Sequence, residues 1–114
     1  MVLLPVDEAY AFDYFAILCV KQANRVQCEK ERHKCESFIR IQIGSDKFDK
    51  VVASDEFAQL HLANTKVWNM VDMAIRDDVK ASNVDAANQL RFKAKKALQQ
   101  KWFGNELSEK KGKH

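Results

Sequence analysis

The chain has one proline and three glycines in 114 residues, at Pro5, Gly44, Gly104 and Gly112. Residues 6–43 and 45–103 contain neither. Turns normally recruit these residues, because few others tolerate the backbone angles. Their scarcity predicts long helices with few connections, and it excludes a glycine-rich phosphate loop. Long apolar runs are lacking too. The densest, residues 9–20, is interrupted by Asp13 and falls short of the roughly 20 residues a bilayer requires. Residues 1–5 carry no basic flank and no small-residue cleavage site, so no secretory signal and no membrane span are expected. The three cysteines, Cys19, Cys28 and Cys35, are odd in number and lie in expected helix. That argues against a disulfide scaffold and for a reducing, cytoplasmic compartment.

What is present fits a single helical domain over residues 1–105 with a disordered basic tail over 106–114. Asp7 and Glu8 open the first helix, where negative charge suits the helix dipole. Tyr10, Phe12, Tyr14, Phe15, Ile17, Leu18 and Val20 make it apolar nearly all round, hence buried on more than one side. Nothing between Val20 and Ser37 is a helix breaker, so the simplest expectation is one rod from Asp7 into the late thirties or to Ile43. Residues 39–43 alternate Ile-Arg-Ile-Gln-Ile, which is also a strand signal. With no convincing partner strand, the end of the helix, closed by Gly44, is the favoured reading. Ser45 and Asp46 restart the chain into a short helix. Ser54-Asp55-Glu56 then caps a second long helix ending near residues 78–81, with Phe57, Leu60, Asn64, Val67, Trp68, Val71 and Ile75 at helical spacing. Ser82-Asn83 is the expected cap of a third, which Gly104 ends. The fold class is therefore all-α: a long N-terminal helix packed with two shorter ones as a helical hairpin or bundle, completed by oligomerisation.

Motifs that carry chemistry are sparse. Cys28, His33 and Cys35 lack zinc-ligand spacing, and neither histidine inside the domain follows a glutamate by three residues. No Glu-x-x-Glu is followed by Glu-x-x-Asp, the pairing that holds magnesium in some helical hydrolases. No metal, cofactor or catalytic residue is expected. Asp13, inside the apolar run, must find a donor, emerge to solvent or shift its pKa. His61 and Asn64 sit on or near the buried stripe of the second long helix, where polar residues fix register. The charge is asymmetric: ten basic against thirteen acidic residues before Lys80, nine against three from Lys80 onward. Arg91, Lys93, Lys95, Lys96 and Lys101 would present a basic face able to contact phosphates, with Trp102 and Phe103 available for stacking.

These features lead to a small, non-catalytic helical interaction protein that self-associates, dimerisation being favoured. The distal half of the long helix would supply the interface through Val26, Cys28, Cys35, Phe38 and Ile39. Weak nucleic-acid binding by the basic C-terminal helix is the alternative. A metal-carboxylate enzyme around Asp13 or Asp72–Asp78 is the second.

Overall fold

Asp7 is extended, with φ −65° and ψ 150°, and the chain enters a helix at Glu8. The computed structural model describes residues 6–75 and 81–105, and among these it contains five helices and no strand. They are α1 (Glu8–Ala23), α2 (Glu29–Ile43), α3 (Ser45–Val52), α4 (Asp55–Ile75) and α5 (Ala81–Phe103). The all-α expectation is met. The tail 106–114 and residues 76–80, which hold Asp77, Asp78 and most of the expected end of the second long helix at 78–81, lie outside the described residues, as does the side chain of Asp72; Ala81, the last of that stretch, already belongs to α5.

The continuous first rod is not. α1 stops at Ala23, and α4 and α5, at 21 and 23 residues, are both longer than its 16. The stop is a Schellman motif: Arg25 N–H donates to the Gln22 carbonyl at 3.0 Å, and Val26 N–H to the Lys21 carbonyl at 2.9 Å. Asn24 reinforces it by donating its side-chain amide to the Val20 carbonyl at 2.8 Å. Glycine usually occupies the left-handed position of this motif, but here Arg25 takes it at φ 64°. A left-handed L-residue costs about 1–2 kcal/mol, part of which glycine returns to the unfolded chain as entropy. Arg25→Gly is therefore expected to stabilise the fold by about 0.5–1 kcal/mol, measurable as a raised urea midpoint at unchanged slope.

The chain then turns back on itself. Cys28 is buried against α1, its thiol donating to the Leu18 carbonyl at 3.4 Å. Residues 38–43 are helical. Ile39 enters the core and Ile43 is half-buried beside it, while Ile41 points to solvent. The alternation that mimicked a strand is thus an i, i+4 pair facing inward with one outward residue between. Gly44 closes α2 at φ 91° and ψ 146°, angles that only glycine adopts readily, and it opens α3 in the same step. Arg40 ties the corner: it pairs with Glu36 at 2.9 Å and Asp49 at 2.8 Å, and its guanidinium lies 4.3 Å from the centre of the Phe48 ring. Ser54 caps α4 as expected, its hydroxyl accepting from Phe57 N–H at 3.2 Å. Ser82 and Asn83, the expected cap, lie within α5, whose described span opens at Ala81.

α1 supplies the centre of the core. Phe12 and Phe15 meet Phe48 of α3 and Phe57 of α4 at ring separations of 5.4–6.3 Å, in stacked, tilted and edge arrangements. Phe103 closes the cluster 6.2 Å from Phe12. Each buried phenyl contributes about 1.5–3 kcal/mol by leaving water. α4 and α5 pack along each other, and α1 lies against both.

Candidate functional site: an apolar groove over a buried ion pair

Asp13 falls on the side of α1 that faces both α4 and α5, and it is 4% exposed. A carboxylate so placed needs donors on every side. α5 supplies Arg91, whose Nε donates to Oδ1 at 3.0 Å and whose Nη2 donates to Oδ2 at 2.7 Å. α4 supplies Asn64, whose Nδ2 donates to Oδ1 at 2.9 Å. Lys95, one turn beyond Arg91, brings its ammonium to 3.8 Å from Oδ2 and 4.5 Å above the Tyr10 ring. The side-on Arg–carboxylate fork is among the strongest polar contacts available to a protein. It pushes the Arg91 pKa up, against the burial that pulls it down.

Further along α5, Gln99 is fully buried. Its Oε1 accepts from the Ala9 N–H at 2.8 Å, and its Nε2 donates to Glu8 at 2.9 Å and Asn105 at 3.1 Å. The first turn of a helix has N–H groups without internal partners. One of these on α1 is satisfied from 90 residues away. Asn88, Arg91, Lys95 and Gln99 thus form a polar ridge at spacings of three and four, with the last three reaching α1. The sequence holds that signal, but beside the neighbouring lysines it reads as a solvated face.

Beside the Asp13 network an open groove of about 310 Å³ runs between the helices. Ile17 and Val20 form its α1 wall, Val67, Trp68 and Val71 its α4 wall, and Asn64 and Arg91 are its polar lining. Asn64 spends both amide hydrogens, on Asp13 and on the Leu60 carbonyl at 3.1 Å. Because both neighbours are acceptors, its Oδ1 is left facing elsewhere, with no donor among the described residues. Arg91 gives three of its five N–H bonds to Asp13 and Asn88. The other two have no acceptor among the described residues.

The remaining sequence candidates are dispersed. Of the basic five, Arg91 and Lys95 are half-buried and turned toward Asp13, whereas Lys93, Lys96 and Lys101 are exposed. His61 is half-buried, 6.5 Å from the Phe57 ring and outside the Asp13 network. Trp102 donates to Glu56 at 3.1 Å, and Lys47 covers the Phe103 ring at 4.6 Å. Along the expected interface, Cys28 and Ile39 are buried within the chain, Cys35 is half-buried, and Val26 and Phe38 are exposed. Burial pushes the Cys19 thiol up and the Cys35 thiol up to about 11. No cluster of three or more metal-ligating side chains occurs among the described residues, and no helix there is long and apolar enough to cross a membrane. No protein-family model, curated protein or solved structure matches the chain.

Proposed function

We propose that this chain is a non-catalytic binding protein whose site is the groove between α1, α4 and α5, and whose ligand is a small molecule with an apolar body. The observation that carries this reading is the groove itself: concave, walled by four aliphatic side chains of α1 and α4 with Trp68, and set over two polar groups that keep unused hydrogen-bonding capacity. Its volume stands at the lower end of the range for small-molecule sites. Binding is favoured over catalysis because the one buried carboxylate among the described residues is committed. Both oxygens of Asp13 hold donors, which leaves it poorly placed to take a proton from a substrate.

A neutral straight-chain alcohol of eight carbons tests the groove without testing charge. Added to the isotopically labelled protein, it is expected to shift the indole N–H resonance of Trp68 and to leave that of Trp102 in place. Val71 is at the rim and 42% exposed, so Val71→Glu should fold normally and weaken the alcohol about tenfold. An unmoved Trp68 signal at millimolar alcohol would remove the groove as a site.

Self-association remains a second reading, now resting on α2 alone. Phe38 and Ile41, one turn apart, are 42% and 77% exposed, and a second copy covering them is the economical arrangement. Nucleic-acid attraction has three exposed lysines left to it, Lys93, Lys96 and Lys101.

A further inference from the structure

Asn64 holds a hydrogen-bond acceptor that the fold leaves unused. The residue is 4% exposed, and its amide is fixed in orientation: Nδ2 donates to Asp13 Oδ1 at 2.9 Å and to the Leu60 carbonyl at 3.1 Å. Turning the amide over would set its oxygen against two acceptors, so Oδ1 cannot trade places with Nδ2. Among the described residues, Arg32 Nε is the one fully buried side-chain nitrogen or oxygen without a partner. The bare Oδ1 of Asn64 is therefore not sealed in the core, and the space it meets is the groove it lines. Solvent can satisfy it through that opening. An apolar occupant that displaces the solvent must supply a hydrogen of its own or leave the oxygen unsatisfied. Arg91 stands next to it, its Nε donating to the same Asp13 oxygen at 3.0 Å. The head of an occupant thus meets an acceptor and donors side by side, and a hydroxyl answers both, having one hydrogen and two lone pairs.

We infer that the groove selects small apolar alcohols: a chain or ring against Ile17, Val67, Trp68 and Val71, with the hydroxyl donating to Asn64 Oδ1. The inference rests on the groove being a binding site and adds the head group and size of the occupant. At about 310 Å³, a body of roughly eight to twelve heavy atoms fits, which sets the dissociation constant on the order of a millimolar. An ether or ester of the same size, with acceptors only, would meet Oδ1 lone pair to lone pair.

The experiment compares octanol with heptyl methyl ether, an isomer that has no hydrogen to donate. Each is titrated into the whole labelled chain while the Trp68 indole and the Asn64 side-chain amide resonances are followed. The ether is the more apolar of the two, so a groove that merely excluded water would favour it. The alcohol is expected to bind about tenfold more tightly, and it alone should shift the Asn64 amide signals. In Asn64→Leu, checked for folding by its helical circular dichroism, the preference for the alcohol should disappear. The comparison on the unmodified protein stands even if that variant does not fold. Equal affinities, or tighter binding of the ether, would overturn the selectivity and leave the groove as an apolar site. Tighter binding of the alcohol with the Asn64 signals unmoved would overturn the role of Oδ1. Failure of both probes to move Trp68 would overturn the selectivity and the binding site together.

Discussion

Asp13→Leu is expected to destabilise the fold by about 2–4 kcal/mol, read from urea or thermal unfolding. Removing one partner of a buried ion pair usually costs 3–5 kcal/mol, because the other charge is stranded. The lower figure applies here because the Arg91 side chain keeps 26% of its surface exposed and can recruit water through the groove. Asn64 loses an acceptor in the same step, and Lys95 an anion 3.8 Å from its ammonium. For a domain whose total stability is on the order of 5–15 kcal/mol, the loss is large. The double variant Asp13→Leu/Arg91→Met should recover much of it, since an apolar pair of similar volume avoids the desolvation of both charges. Such recovery separates an ion pair that specifies the packing from one that supplies net stability. If the double variant is as unstable as the sum of its parts, the two residues are not coupled and this account of the site fails.

Gln99→Leu should be of similar size, about 2–3 kcal/mol, and for a different reason. The substitution conserves volume, so little cavity forms. It removes the acceptor for the Ala9 N–H, and Ala9 is fully buried, so no water takes over. An unsatisfied buried N–H costs about 1–3 kcal/mol, and Glu8 and Asn105 each lose a donor as well. Gln99→Glu provides the contrast. The glutamate can still accept from Ala9, but as an anion it lies beside Glu8 without a hydrogen to offer. Burial and the neighbouring carboxylate raise its folded pKa above the unfolded value. Its deficit should therefore shrink as the pH is lowered and grow as the pH rises through the folded pKa. Hydrogen exchange at Ala9, fast in Gln99→Leu and slow in the parent, would locate the effect at the start of α1.

The signals that were legible in the sequence are those whose chemistry is local. Gly44 and Gly104 end helices because they alone accept positive φ cheaply, at 91° and 72°. Ser54 caps α4 because its hydroxyl reaches an N–H three residues on. Asp13 stood out because a carboxylate in an apolar run conflicts with its surroundings. Its partner did not, since Arg91 is 78 residues distant and lies among lysines, of which Lys93 and Lys96 are solvated. The break after α1 was hidden for the opposite reason. The motif is ordinary, but an arginine holds the position that glycine normally marks, and the adjacent Asn24 is the one local hint. Gln99 carried no signal of its own, because a buried glutamine differs from an exposed one only through contacts made elsewhere in the chain. The groove was likewise invisible: its walls read as core stripe, and only the packing shows that α1 and α4 leave a space between them.

The Gln99–Ala9 bond has a bearing on how the molecule is born. The amide of residue 9 is made 90 positions ahead of its acceptor. Until then the first turn of α1 lacks that acceptor, and Asp13 has neither Arg91 nor Lys95 to neutralise it. Whatever structure α1 forms on the ribosome must remain provisional, and cooperative consolidation waits for α5 to dock.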